Sequence, residues 1–288
     1  RGILGVNVSG ATIDRNQITT QGNDQSHAIS LHGNGGGTVS NTIITGNQIT
    51  TTGENGEGMY LHANGGTIRN TTITGNTIST VNAWAEGIFL RADNSGTLSG
   101  AIVANNTITT GGNAARGIFL STQNSTLNNV TVSSNTITTT GDNIVTGAGN
   151  NDPAGIFVRS NANGVLQDVT VVGNTISTAS DLVQGIFVFS NNGGLLTNVG
   201  ITNNLIQQAG QHSVFVETND AAGNLCIAAF TGNRSNNPGV FGAGGDDLNV
   251  AVTAGSTVNF VGFSNVGANN TGFGAIAGTP TGQPPSCP

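Results

Sequence analysis

Histidine, glutamate and arginine are scarce in this sequence, yet His27, His32, Glu57, His62, Glu86 and Arg91 all fall in its first third. Clustered carboxylates on neighbouring segments are the groups that general acid–base work on a glycosidic bond requires. Acids that hold calcium beside a cationic base would do related chemistry on a sugar. The chain has no lysine, so that base would have to be one of its seven arginines. His32, His62, Glu57, Glu86 and Arg91 are the candidates if any residue is catalytic, but a solvated charged edge flanking an aromatic stripe is the favoured explanation of the same residues. The adjacent acids Asp246 and Asp247 are expected to serve a plain turn, with calcium binding the alternative that makes them candidate metal ligands. No nucleophile triad, phosphate loop or zinc spacing is present, and no other cofactor is expected.

Composition narrows the partners. Only 7% of the residues are charged and the net charge is −7, which argues against nucleic acid and against an anionic membrane surface. No apolar run approaches the roughly 18 residues of a membrane helix. Arg1 stands where a basic and then apolar leader would begin, so the chain reads as a mature product or an excised fragment. Cys226 and Cys287 are a candidate disulfide, with two buried thiols as the alternative.

The elements that must position these side chains come from an internal repeat. Asn16, Asn47, Asn76, Asn106, Asn135, Asn174, Asn204 and Asn233 recur at intervals of 31, 29, 30, 29, 39, 30 and 29, the long interval falling on an insertion at 141–153. Two residues after each comes an isoleucine, until Ser235; three before it comes Ile, Val or finally Phe230. Apolar and polar residues alternate over short β-branched segments separated by Gly, Asn and Ser, the periodicity of strands and turns. Three short strands per 30 residues, with like residues stacked on like at about 4.8 Å, predict a parallel β-coil of about eight rungs, on the order of 40 Å long. The uneven rung favours the right-handed form. The asparagine column is expected at a coil corner, taking left-handed torsions and bonding to its copies above and below. A second file, Asn41, Asn70, Asn129, Asp168 and Asn198, is expected to do similar turn work.

The motif GIFL at 87–90 returns at 117–120, and as GIFV at 155–158 and 185–188. Its aliphatic residues point inward, so alternation sends the residue between them outward: Tyr60, Phe89, Phe119, Phe157, Phe187 and Phe215. This file is the candidate binding surface, unless a loop, the tail or the segment around Trp84 folds over it. His32, His62 and Arg91 follow the motif on successive rungs, while His27, Glu57 and Glu86 precede its glycine, so the acid–base candidates flank the aromatic file. A second outward file, Thr77, Ser79, Thr107, Thr109, Thr136, Thr138, Thr175 and Ser177, resembles ice-binding surfaces; solvated strand formers explain it too.

Units such as GIFLRADNSGTLSGAIVANNTITT resemble the right-handed parallel β-helix repeats of bacterial secreted and cell-surface proteins, adhesins and autotransporter passengers among them. The resemblance covers roughly residues 5–235 and implies a secreted or surface location. The expected domains are a β-helix over 1–233 and a C-terminal β-rich cap over 234–288. RGILGVNV is expected to start mid-coil, with the GIFL strand of the first rung lying before Arg1. The open first rung should then be covered by upstream domains or another copy. The reading that follows is an extracellular structural or adhesive scaffold, non-catalytic and self-associating, head-to-tail or laterally, or surface-binding through its aromatic stripe. The alternative is a β-helix that binds or degrades polysaccharide. A minor alternative is ice binding.

Overall fold

The computed structural model describes residues 1–22, 25–142, 153–180, 182–220, 222–239 and 245–287. Most of the insertion expected at 141–153 therefore lies outside the described residues. Each turn of the chain lays one strand into each of three parallel sheets, giving the right-handed parallel β-helix that the repeat predicts. The first sheet has ten strands, from Ile3–Val6 to Ile276–Gly278, and carries the GIFL motif. The second has twelve, and the third has eight, from Gln17–Thr20 to Arg234–Ser235. On the first sheet like pairs with like: Ile88, Phe89 and Leu90 pair with Ile118, Phe119 and Leu120, which pair in turn with Ile156, Phe157 and Val158, while the other sheets shift register after Ile176 and between Leu196 and Gly200.

That register turns sequence columns into a spine. Ile44, Ile73 and Val103 on the second sheet, Ile49, Ile78 and Ile108 on the third, and Leu61, Leu90 and Leu120 on the first are all buried. Burying such a side chain contributes about 1.5–3 kcal/mol, and every rung supplies several. The glycine of the motif has a steric cause: a Cβ on Gly87 would lie 2.6 Å from the carbonyl oxygen of Gly117, in the rung above.

The asparagine column forms an unbroken amide ladder. The backbone N–H and Nδ2 of Asn76 both donate to Oδ1 of Asn106, at 3.0 and 2.9 Å, and Asn106 repeats this toward Asn135. The series runs from Asn16 to Asn270. One expectation shifts by a residue: the left-handed torsion sits just before the ladder, at Arg15, Gly46, Gly75, Asn105, Ser134, Gly173, Asn203 and Gly232. The ladder amide needs ordinary torsions to point inward, and the corner is turned by the residue beside it. Asn41, Asn70, Asn129, Asp168 and Asn198 do take positive φ, between 52° and 56°.

The first rung differs from expectation. Ile3 pairs with Ile29, Leu4 with Ser30 and Gly5 with Leu31, so the GIFL-equivalent strand of the first rung is present as GILGV. Counting back from Asn16 misses it because this rung lacks the Gly35–Gly37 turn that follows the equivalent strand above. At the other end, the segment expected as a cap first prolongs the coil. Leu248–Val252 and Thr257–Phe260 add parallel strands to the first two sheets, and Asn270 extends the ladder. The tail is then tied down by a Cys226–Cys287 disulfide. No helix among the described residues is long and apolar enough to cross a membrane.

Candidate functional site

The aromatic residues project from the outer side of the first sheet and form a cluster separate from the aliphatic core. Centroids from Tyr60 through Phe89, Phe119, Phe157 and Phe187 to Phe215 are 5.3, 4.5, 5.0, 4.6 and 4.9 Å apart. From Phe89 onward the planes lie within 12° of parallel. The pile is a consequence of register, since one ring per rung leaves little room for other geometry. It is not an open stripe: Phe157 and Phe187 are fully buried and Phe119 is 3% exposed. Arg116 lies 4.5 Å over Phe119, Arg159 lies 5.0 Å over the same ring, and Phe189 packs against Phe187. The guanidiniums gain cation–π attraction while shielding the rings. Only the ends of the pile, Tyr60 and Phe215, remain half-buried.

At the Tyr60 end the covering stops, and a groove of about 740 Å³ opens over the first rungs. All five acid–base candidates line it, together with Tyr60, Phe89 and Phe119. The strand geometry explains the gathering. Glu57 and Glu86 stand before the motif glycine on successive rungs, about 4.8 Å apart at the backbone. His62 and Arg91 stand five residues further along the same strands, about 16 Å away. One rim is thus carboxylate, the other imidazole and guanidinium, and the floor is aromatic.

Each rim is internally paired. Arg116 Nη1 donates to Glu86 Oε1 at 2.8 Å, and Glu57 pairs with His27. On the far rim Asp93 receives His62 Nε2 at 2.7 Å and Arg91 at 2.8 Å. Burial outweighs Arg116 and pushes the Glu86 carboxyl up to about 7, with Glu57 adding to the rise. Burial, then the charges of Arg1 and the other histidines, bring His32 down to about 4, so it is neutral, its Nε2 2.6 Å from Ser30 Oγ. His62 is lowered mainly by burial, against the pull of Asp93. Burial also raises the Tyr60 phenol to about 12, which keeps its proton available for donation.

Three further residues complete the groove. Asp93 follows Arg91 at the next outward position, a signal that strict alternation contains. Arg159 lies two rungs above Arg91, held 3.0 Å from Ser121 Oγ. Trp84, which the sequence offered only as a cover for the stripe, lies half-buried on the groove wall with φ of 57°. That torsion is costly for a bulky residue and gathers at functional sites. It is imposed here by the coil, because Gln25, Asn55 and Ala114 take the same torsion on neighbouring rungs.

The remaining candidates lie elsewhere. Asp247 Oδ1 accepts from Ser235 Oγ at 2.6 Å, and its Oδ2 from the N–H groups of Gly274 and Ala275 at 3.0 and 2.8 Å. These donors use the carboxylate to anchor the tail. Asp246 faces His212, whose pKa burial lowers, and Asn249. Among the described residues no group of three or more His, Cys, Asp or Glu is arranged to hold a metal. The threonine file runs in register along the third sheet, with Thr77, Thr107, Thr109 and Thr136 exposed, and it is broken by Gln48 below and Leu205 above.

No protein-family model matches the chain, and no curated protein does. Among solved structures, it is similar to a tailspike protein mutant of E. coli bacteriophage HK620 in complex with pentasaccharide. That likeness has 16% identity and a TM-score of 0.45, over 95% of this chain and 56% of that one. The Dettilon tailspike protein follows at 13% and 0.25, over 90% and 62%. The catalytic domain of a GH87 alpha-1,3-glucanase in complex with nigerose follows at 13% and 0.21, over 98% and 64%. This chain therefore spans less than two thirds of each. The likeness is one of fold.

Proposed function

We propose that the chain binds polysaccharide in the groove over its first rungs. The observation that carries this reading is the Tyr60 end of the aromatic pile, where a half-buried ring is left between two rims of hydrogen-bonding side chains. A sugar ring presents an apolar face edged with hydroxyls, and it needs an aromatic floor with polar groups at both sides. Trp84 adds a second aromatic wall. Oδ1 of Asn34, on the same lining, is shielded from water and has no hydrogen-bond partner among the described residues. The burial of Phe119, Phe157 and Phe187 moves the reading away from a scaffold that associates through the whole stripe.

The test is affinity electrophoresis and calorimetry against a panel of neutral and acidic glycans. Tyr60→Ala and Trp84→Ala are each expected to weaken binding at least tenfold, and Thr109→Ala, exposed on the third sheet, to leave it unchanged. Retention of no glycan, or full affinity in both aromatic variants, overturns the reading.

A hydrolytic reading is favoured by one observation. Glu86, its carboxyl raised to about 7 by burial, stands one rung from the carboxyl of Glu57, and an acid that keeps its proton near neutral pH can serve as a general acid. Glu86 would protonate the leaving oxygen as its bond to the anomeric carbon breaks, while water attacks that carbon and Glu57 takes the proton of the water. Reducing ends released by the parent chain, and lost with binding intact in Glu86→Gln, would establish it.

A further inference from the structure

Cations are distributed very unevenly in this molecule. Four of the seven arginines, Arg1, Arg91, Arg116 and Arg159, line the groove. The acids within reach are Glu57, Glu86 and Asp93, which leaves three arginines against eleven acidic residues for the rest of the chain. The groove is thus locally cationic in a protein of net charge −7. Burial, Arg116 and Arg91 together bring Arg159 down to about 9, so the guanidiniums repel one another across the aromatic floor. An anion placed among them would relieve that repulsion. Arg91 is the one best placed to meet it. Its side chain is 37% exposed; Asp93 engages it at Nη2 and it also hydrogen-bonds to the Tyr60 phenol, which leaves its remaining donors to be directed at a ligand.

Resting on the glycan-binding reading, we propose that the groove selects an anionic glycan, whose sugar-borne acid group is received by Arg91 with Arg1 and Arg159 flanking it. The surrounding negative charge of the chain opposes indiscriminate attachment of polyanions and confines them to this groove. Carboxylate and sulfate share the chemistry that a guanidinium fork recognises.

The experiment compares polygalacturonate with its carboxyl-reduced polymer, and dextran sulfate with dextran, using the whole chain at neutral pH and two salt concentrations. At least one anionic polymer is expected to bind tenfold or more tightly than its neutral partner, about 1.4 kcal/mol, with affinity falling as salt rises. The arm that binds tells uronate from sulfate. Arg91→Gln is expected to abolish that preference, and Arg91→Lys to restore it in part. Arg15→Gln, whose side chain is 83% exposed outside the groove, is expected to leave it intact. Binding of neutral and anionic polymers with equal affinity, or an Arg91→Gln variant that keeps the preference, overturns the inference and leaves the glycan-binding reading standing. Binding of no polymer of either kind overturns both.

Discussion

Replacing Asn106 by alanine tests the element on which the whole coil depends. Its side chain, 1% exposed, sits in the middle of the ladder. Oδ1 accepts from the backbone N–H of Asn76 at 3.0 Å and from Asn76 Nδ2 at 2.9 Å. Nδ2 donates at 3.0 Å each to the carbonyls of Ile73 and Ala104 and to Asn135 Oδ1. The losses are not equal. Asn76 Nδ2 keeps the carbonyls of Ile44 and Thr74, and Asn135 Oδ1 keeps the backbone N–H of Asn106. The Asn76 N–H loses its acceptor in a buried place, and two carbonyls lose a donor. One orphaned buried group costs about 1–3 kcal/mol, so the sum expected is about 3 kcal/mol. In a chain of this size that lowers Tm by about 6–10 °C. Urea and thermal melts followed by far-ultraviolet circular dichroism read it directly. The control is Asn105→Gly, one residue earlier, exposed and left-handed at φ 55°, where glycine is at ease. An Asn106→Ala variant within about 0.5 kcal/mol of the parent, the scatter of neutral surface changes, would refute the account.

Gly87→Ala is expected to cost about 1–3 kcal/mol by forcing the next rung away from the new methyl, while Gly274→Ala, with open space around it, changes little. Phe157→Ala removes a fully buried ring from the aromatic pile and should cost about 3–5 kcal/mol in the same melts. Reducing the Cys226–Cys287 bond releases a loop closed over a separation of 61 residues, with a loss of about 4 kcal/mol. Hydrogen exchange should show that loss confined to the turns after residue 224. For pH, the signs of Glu86 and His32 oppose. Glu86 is raised from 4.5 to about 7, so its contribution is full below 4.5 and lost as pH rises through 7. His32 is lowered from 6.5 to about 4, so its contribution is full above 6.5 and lost as pH falls through 4. Between pH 4.5 and 6.5, Glu86→Gln should therefore make Tm climb more steeply with pH, and His32→Gln less steeply; unchanged slopes in both would contradict the assigned protonation states.

The coil was legible because its signal is repeated. A single alternating segment is ambiguous, but aliphatic columns in fixed phase admit one stacking, and the first sheet keeps that phase from Ile29 to Val250. What escaped was local. The left-handed corner falls one residue before the ladder because torsion and side-chain direction are separate demands, which spacing cannot apportion. The first-rung strand was missed because a shortened turn between Val6 and Thr12 changes the count and leaves the geometry intact. The coverage of the aromatic file was hidden too, since Arg116 and Arg159 come from different columns and meet only over Phe119.

The place of the groove follows from how this coil is stabilised. Its corners and inner seams are held by amides, hydroxyls and glycine, which repeat because each rung needs them, so almost no charge is spent on structure. Charged residues then mark departures from the repeat. The column before the motif glycine changes from Glu57 and Glu86 to Arg116 and on to Ala154 and Gln184. The column after it changes from His62 and Arg91 to Ser121 and Arg159, then Phe189. At Ala154, Gln184 and Phe189 the columns turn neutral or apolar and Phe157 and Phe187 are sealed, before His212 and Glu217 follow beside the half-buried Phe215. Toward the N-terminal side both carry ionisable groups, and the pile opens at Tyr60. A stacking argument alone would make all rungs equivalent. The groove exists where two columns stop repeating at the same height, and the proposed binding site rests on that coincidence.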